Sequence, residues 1–305
     1  MDAEFEPFGD RLAAAVVEKQ SVVCVGLDPR WEQLPEAWRD GVPAGDLVGQ
    51  ATRTARFCCE VVDAVASSAA VIKPQAAFFE MLGPPGMEAL KTVIDHCHRR
   101  GLLVILDAKR GDIGSTAEGY ARAYLGTHTP WQTDALTINP FLGDDTLRPF
   151  VDRAHASGSG LFVLVKTSNP GSGFLQDLVV DGKPVFERVA QCVHDLGSEQ
   201  IGPRFGWTSI GAVVGATYPE QLAQLRQTMP RTWLLIPGYG AQGGSADDVA
   251  GAFDRRGLGA VVNSSRGIIF AYRQSASSHR DWQDAVAQAA ETMRRALNAV
   301  RPIGS

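Results

Sequence analysis

Residues 102–116 read LLVILDAKRGDIGST, and this stretch decides the fold. An apolar run, Leu102–Asp107, ends in a carboxylate and is followed at once by further charges. Short continuous apolar runs are typical of strands that are buried on both faces of a parallel sheet. The charges then mark the point where the strand leaves the core. The stretch is therefore interpreted as one strand followed by a helix. The number of similar units along the chain then indicates the architecture.

Seven other runs share this character, and helical patterns separate them. The eight runs are Val22–Leu27, Ala70–Lys73, Leu102–Asp107, Ala135–Ile138, Leu161–Val165, Ile210–Val214, Trp233–Ile236 and Ala260–Asn263. The helical patterns are clearest at Gly86–Arg100, Ala117–Leu125, Val185–Leu196, Glu220–Thr228, Asp247–Arg256 and Ser278–Val300. Eight such units predict a single (β/α)₈ TIM barrel domain over residues 1–305, with a short N-terminal extension. A doubly wound open sheet is the alternative.

Two segments are longer than a barrel connection needs. Gly143–Gly158 follows the fourth run, and Ser172–Lys183 follows the fifth. We expect these segments to be lids over a site or family-specific decoration.

The bulk composition excludes several classes of protein. Of the 305 residues, 45% are hydrophobic and 21% charged, which predicts a soluble globular protein with a large core. The net charge is 29 − 34 = −5, and this argues against a nucleic-acid partner. The acidic start lacks the pattern of a signal peptide, and no apolar run approaches the ~18 residues of a membrane span. We expect neither a membrane nor a nucleic acid as partner.

The cysteines indicate a reducing compartment. There are five, an odd number, and Cys58 and Cys59 are adjacent, so no disulfide framework is expected. No Cys or His spacing suggests zinc. His96 and His98 flank Cys97 within a polar helical pattern and are interpreted as a solvated helix face. The predicted location is the cytoplasm.

The barrel prediction directs attention to the strand ends, where such barrels carry their catalytic residues. Asp107 and Lys109 are two apart, so strand alternation puts them on one face, the interior mouth. Asp112 follows after Gly111, and Lys73 ends the preceding strand. One such pair alone is more often a surface ion pair, worth about 0–1 kcal/mol. Four alternating charges at the functional end favour a proton-transfer or carbanion site.

The same residues carry a family resemblance. DAKRGDIGST resembles the signature D-x-K-x-x-D-I-G-x-T of orotidine 5'-monophosphate decarboxylases, and VIKPQAAFFE at 71–80 is similar to the second bacterial class of that family. Matching segments run from VGLDPR at 25–30 to VNSSRG at 262–267, which covers most of the chain. The resemblance implies decarboxylation of orotidine 5'-monophosphate to uridine 5'-monophosphate and CO₂, with no metal and no organic cofactor.

The resemblance also implies roles for the charged cluster. Lys109 would be the acid that protonates C6 of the pyrimidine once CO₂ has left, and Asp107 would lie near the substrate carboxylate and hold Lys109. Lys73 would contact the ribose and Asp107. Asp112 and Thr116 would reach into the active site of a second subunit, which implies a homodimer with shared sites.

Ser115 has a competing local interpretation. With Glu118 three residues later it fits a capping box at the start of the next helix, and this interpretation is preferred for it.

A glycine-rich stretch, Pro237–Gly244, follows the seventh run. Its G-x-G-x-x-G spacing matches a dinucleotide fingerprint, but that fingerprint belongs to the first unit and needs an acidic residue near the next strand end, where this chain has Asn263. A barrel phosphate site after strands seven and eight is the better interpretation. The resemblance puts Gln242 and Arg266 on the phosphate, with Gly267 contributing backbone, and a simple turn or a surface arginine is the alternative.

Two further residues bind substrate according to the resemblance. Asp28 would accept hydrogen bonds from ribose hydroxyls, although Asp-Pro also commonly starts a turn. Ser168 would contact the pyrimidine, and the alternative is a loop cap.

Other functions remain open at this point. Magnesium-dependent barrels acting on sugar phosphates share D-x-K-x-x-D, but they carry an acidic residue where this chain has Lys73. A non-catalytic nucleotide-binding barrel is a second alternative, although all four charges are present. Lys166 raises the possibility of an aldolase-type Schiff base, but the family pattern puts no catalyst there.

Overall fold

Eight parallel strands close into a barrel in the computed structural model, which describes residues 5–216, 219–240, 244–273 and 282–302. The barrel strands are β1 (Val23–Leu27), β2 (Val71–Pro74), β3 (Leu103–Arg110), β4 (Ala135–Ile138), β5 (Gly160–Lys166), β8 (Ile210–Val214), β9 (Leu234–Ile236) and β10 (Ala260–Ser264). Their order is β1-β10-β9-β8-β5-β4-β3-β2, with every neighbouring pair parallel. The barrel prediction is confirmed, all eight runs are strands, and the open-sheet alternative is wrong.

Helices precede and connect the strands, and the longer connecting helices cover the outer faces of the barrel. They are α1 (Phe8–Lys19), α2 (Glu36–Arg39), α3 (Leu47–Val65), α4 (Ala77–Glu80), α5 (Gly83–Arg99), α6 (Gly114–Tyr124), α7 (Arg148–Ser157), α8 (Gly173–Gln176), α9 (Val185–Ser198), α10 (Pro219–Thr228), α11 (Ala246–Val249), α12 (Arg266–Ile269) and α13 (Trp282–Val300). The short hairpin β6 (Val179–Val180) and β7 (Lys183–Pro184) lies outside the barrel.

Three local predictions are wrong. The helix expected at Asp247–Arg256 ends at Val249 and gives way to a 3₁₀ turn, because the Asp254 carboxylate accepts the backbone N–H groups of Arg256 and Leu258 and so holds a tight turn. Gly143–Gly158 is not a lid or a decoration, since it contains α7. The capping box at Ser115 does not form, because α6 already begins at Gly114 and its N-cap residue is Ile113.

The segment after β5 differs from an ordinary barrel connection, as expected. Residues 172–183 hold α8 and most of the hairpin, and they carry several exposed apolar side chains. These are Phe174, Leu175, Leu178, Val179 and Val180.

The helix α1, which the sequence suggested only as a short extension, closes the N-terminal end of the barrel. Phe8 is buried edge-on against Phe162 of β5, with ring centroids 6.0 Å apart. The Gly9 carbonyl accepts a hydrogen bond from the Trp233 indole at 3.1 Å. Asp10 is fully buried and accepts the backbone N–H groups of residues 204 and 205, at 2.8 and 2.9 Å. A fully buried carboxylate without partners would be costly, so these bonds fix where α1 docks.

Three structural findings bear on the predictions from composition and from the cysteines and histidines. Among the described residues, no helix combines the length and the apolar character needed to cross a membrane. All five cysteines fall within the described ranges and each one is free. His96 lies 2.6 Å from an oxygen of Asp63 and His98 lies 3.0 Å from an oxygen of Asp134, so both histidines of α5 are hydrogen-bonded to carboxylates.

We predict that Asp10→Ala lowers the free energy of unfolding by roughly 1–3 kcal/mol, because it leaves two backbone N–H groups without their acceptor. Urea unfolding at pH 7 measures the change. The control is Asp181→Ala, which removes an exposed ion pair with Arg188 and is expected to cost less than about 1 kcal/mol. Equal losses in the two variants would contradict the docking role of Asp10.

Candidate active site

Polar side chains at the C-terminal ends of the strands line a cavity of about 770 Å³. This is within the usual range for a small-molecule pocket, about 300–1,000 Å³. Six of the residues predicted to form a site line it. They are Asp28, Lys73, Asp107, Lys109, Ser168 and Arg266. The barrel therefore gathers residues that are up to 238 positions apart (266 − 28) around one volume.

The Asp107 carboxylate, at the end of β3, is the centre of the charged cluster. Its Oδ2 accepts from the Lys73 ammonium at 2.7 Å and from the Gln75 amide at 3.1 Å. Its Oδ1 accepts from the Lys109 ammonium at 2.5 Å and from the Thr137 hydroxyl at 3.0 Å. Four donors from three adjacent strands thus fix the plane of one carboxylate.

Burial and charge act in opposite directions on this cluster. Burial alone raises the pKa of Asp107, but the charges of Lys73 and Lys109 outweigh it and hold the pKa well below the usual carboxyl range. Burial alone lowers the pKa of Lys73, but the charges of Asp107 and Asp28 raise it above the usual lysine value. The pair is therefore ionised at neutral pH, as a buried charge with matched partners can be.

The two lysines differ in exposure. The Lys73 side chain is 5% exposed and the Lys109 side chain 46%. Lys73 is thus locked between strands, whereas the Lys109 ammonium faces the open mouth of the cavity. A lysine in that position can contact a ligand and exchange protons with water.

The sequence suggested that regular strand alternation brings Lys109 beside Asp107. The structure brings them together in a different way. The pairing of β3 with β4 shifts register between Leu106 and Arg110, and Lys109 has a left-handed backbone with φ of 49°. Few residues with a Cβ adopt that conformation, and it is commonly found at functional sites. The irregularity turns the Lys109 side chain back over the carboxylate.

Asp28 and Ser168 occupy different walls of the cavity. Asp28 follows β1, and its Oδ1 is buried with no hydrogen-bond partner among the described residues. Such an acceptor fits a ligand hydroxyl. Ser168 follows β5 and packs against Gly215. A Cβ built on Gly215 would lie 2.9 Å from the Cβ of Ser168.

The loop after β9 and the residues after β10 form the opposite end of the cavity. Gly238 and Gly240 have φ of 98° and 72°, a region that favours glycine. The N–H of Gly240 donates to the Gly244 carbonyl at 2.8 Å. Arg266 is exposed at the cavity edge. Gln242, predicted to bind phosphate, lies outside the described residues.

Three predicted residues do not line the cavity of this chain. Asp112 and Thr116 lie in the loop and helix after β3, with Thr116 exposed and the Asp112 carboxylate accepting the Ile113 N–H at 2.8 Å. Gly267 is exposed beside Arg266 in α12. Their predicted roles stay predictions.

Sequence reasoning missed several polar residues of the cavity, among them Gln75, Thr137 and Asn263. Gln75 follows Lys73 by two positions, so strand alternation puts both side chains on the same face, and this spacing could have identified Gln75. Thr137 was counted only as part of an apolar run, and Asn263 only as a non-acidic strand end. A lone hydroxyl or amide near the end of an apolar barrel strand is the signal that would have found them.

Lys166 has a different place from the one an aldolase-type lysine requires. Its side chain is fully buried, it does not line the cavity, and its ammonium pairs with Asp177 at 2.6 Å. The geometry therefore gives the Schiff-base alternative no support. The pair instead links the end of β5 to the segment that carries α8.

Comparison with known proteins identifies the family. A family model described as "Orotidine 5'-phosphate decarboxylase / HUMPS family" matches residues 21–280. A protein of Rhodopirellula baltica named orotidine 5'-phosphate decarboxylase is 53% identical over 298 residues, which is 95% of this chain and 98% of that protein. One of the same name from Deinococcus radiodurans is 44% identical over 87% of this chain and 89% of its own. The solved structure of Leishmania donovani OMP decarboxylase is similar with a TM-score of 0.75 at 32% identity, covering 97% and 98% of the two chains.

We predict that Asp107→Asn lowers the free energy of unfolding at pH 7 by about 3–5 kcal/mol, because Lys73 is left buried without its counter-charge. Because the pKa of Asp107 is lowered by folding, its contribution is complete above the ordinary carboxyl pKa of about 4 and is lost as the pH falls below it. Urea unfolding of wild type and variant between pH 3 and pH 7 measures the difference.

The control is Asp95→Asn, which removes a partly exposed pair with Lys91 on α5. We expect it to change stability little at any pH. A gap between wild type and Asp107→Asn that widens toward low pH would contradict the assignment.

Proposed function

The chain belongs to the orotidine 5'-phosphate decarboxylase / HUMPS family, and we propose that it converts orotidine 5'-monophosphate to uridine 5'-monophosphate and CO₂, the last step of de novo pyrimidine biosynthesis. The enzyme is accordingly a carboxy-lyase. The observation that carries the proposal is the Asp107 carboxylate held between two ammonium groups at the cavity floor, one of them buried and one open to the mouth.

The chemistry needs a positive charge beside the reacting carbon. When the C6–carboxylate bond breaks, its electron pair stays on C6 and CO₂ leaves. The Lys109 ammonium stabilises that developing charge and then transfers a proton from Nζ to C6, which leaves a neutral amine that water reprotonates. The half-exposed position of Lys109 supports the last step.

Magnitudes limit what Lys109 contributes. One pair of unit charges 4 Å apart is worth about 4 kcal/mol at an effective dielectric constant near 20. Enzymes lower barriers by about 8–23 kcal/mol. The remainder has to come from orientation of the substrate and from binding of groups remote from C6.

The walls of the cavity supply such binding groups. The buried Oδ1 of Asp28, which has no hydrogen-bond partner among the described residues, suits a ribose hydroxyl, and Lys73, which contacts Asp107, is proposed to contact the ribose as well. Arg266 presents a fork of N–H donors for the 5'-phosphate, with Gln242 and the backbone of Gly267 as further ligands. Ser168 would contact the pyrimidine. All these groups are side chains or backbone, so the reaction is proposed to need neither metal nor organic cofactor.

The active form is proposed to be a homodimer with shared sites. Asp112 and Thr116 lie outside the cavity of their own chain, and they belong to the signature that the resemblance assigns to the partner's site. We also propose that the enzyme works in the cytoplasm, for which five free cysteines are suitable.

Turnover in EDTA is the first test. Purified protein is expected to convert orotidine 5'-monophosphate to uridine 5'-monophosphate, followed by the loss of orotate absorbance. Lys109→Ala is expected to lower kcat by at least about 100-fold, because general acid catalysis alone contributes that much. The control is Lys91→Ala on the outer helix α5, which should keep wild-type kcat. No conversion by the folded protein would favour a magnesium-dependent enzyme acting on another sugar phosphate, and near-normal turnover by Lys109→Ala would refute the role of Lys109.

Subunit mixing tests the shared site. Asp112→Ala and Lys109→Ala are each expected to be inactive as homodimers. After exchange of subunits, a mixed dimer carries one site with both residues intact, so partial activity should return. Exchange is verified with two differently tagged chains. Full subunit exchange without any recovery of activity would show that the sites are not shared.

A further inference from the structure

The Lys109 backbone is held in a conformation that its own sequence does not favour. Its φ of 49° is left-handed, and the residue is neither glycine nor asparagine. Such a conformation persists only where surrounding contacts over-determine it. The contact that meets the Lys109 backbone is the hydroxyl of Thr137, which accepts the Lys109 N–H at 2.9 Å.

The same hydroxyl also contacts Asp107. Thr137 is 1% exposed and lies near the end of β4, next to β3. A hydroxyl carries one proton, and this one is donated to Asp107 Oδ1 at 3.0 Å. Oδ1 is also the oxygen that accepts from the Lys109 ammonium. A closed ring of hydrogen bonds therefore begins at the Lys109 N–H and returns to the Lys109 side chain.

We propose that Thr137 is a positioning residue for the reaction, because its single hydroxyl sets both the backbone of Lys109 and the carboxylate that receives the Lys109 ammonium. The inference rests on the proposed function, in which Lys109 delivers the proton. A hydroxyl oxygen can accept from the N–H and donate to the carboxylate at once, whereas an apolar side chain of the same shape can do neither. Asp107 keeps Lys73 and Gln75 on Oδ2 without it, but nothing else among the described contacts joins Oδ1 to the Lys109 backbone.

Three variants test the proposal. Thr137→Val keeps the branched shape and removes the hydroxyl, whereas Thr137→Ser keeps the hydroxyl. Thr208→Val is the matched control, since Thr208 is also buried but lies before β8 at the opposite end of the barrel, where its hydroxyl donates to the Ile210 carbonyl at 2.8 Å. For each variant kcat, KM and the thermal midpoint are measured.

Thr137→Val is expected to lower kcat about 10- to 100-fold, the loss that corresponds to one hydrogen bond to a charged group, with KM nearly unchanged. Thr137→Ser should restore most of kcat, and Thr208→Val should leave kcat unaffected even if its thermal midpoint falls. Wild-type kcat in Thr137→Val, or equal impairment of Thr137→Ser and Thr137→Val, would overturn the proposal.

Hydrogen exchange of the Lys109 backbone amide gives a readout that does not depend on turnover. The amide should exchange faster in Thr137→Val than in wild type, and at the wild-type rate in Thr137→Ser and Thr208→Val. Unchanged exchange in Thr137→Val would overturn the proposal. A wild-type protein that exchanges as expected but does not decarboxylate would refute the proposed function, while the hold of Thr137 on Lys109 would stand.

Discussion

The buried ion pair between Lys73 and Asp107 is the interaction on which the site depends. Neither charge is tolerable alone at the C-terminal end of a packed barrel, and each shifts the pKa of the other toward the ionised form. The pair joins β2 to β3, so the barrel must close correctly before the charges can match. Once it does, Asp107 has a fixed orientation and can hold a second, more exposed ammonium.

That second ammonium gives the site its chemical character. A lysine and a carboxylate at a surface would form a weak and mobile pair, whereas here the carboxylate is already held by three other donors. The ammonium of Lys109 is therefore held in place by the protein itself, and a charge fixed in this way needs no reorganisation to stabilise a developing negative charge, as the proposed function requires. The left-handed backbone of Lys109, a conformation that is unfavourable for a residue with a Cβ, accompanies that placement.

The two ends of the cavity follow from the closing of the barrel. Asp28 after β1 and Arg266 after β10 are neighbours around the ring although they are far apart in sequence, since β1 pairs with β10. The charged cluster after β2 and β3 lies on the other side of Asp28. The lining of the cavity therefore runs from Arg266 past Asp28 to the charged cluster.

The sequence by itself determined the architecture and most of the participants. Runs such as Ala135–Ile138 and Ile210–Val214 carry no charge and are almost entirely apolar because their strands are buried on both faces, and eight such runs leave little choice but a barrel. The charged residues at strand ends were visible for the same reason, since nothing else in those runs is charged.

Only the tertiary structure decided how these residues meet. The register shift in β3, the left-handed Lys109 and the hydroxyl of Thr137 depend on contacts between strands, and no periodicity within one strand encodes them. The helix α1 was missed because its burial against Phe162 and Trp233 arises from residues about 150 to 225 positions away (162 − 8 and 233 − 9). The spacing of apolar residues within a segment indicates which of its side chains can be buried. Which side chains share one cavity is determined only when the barrel closes.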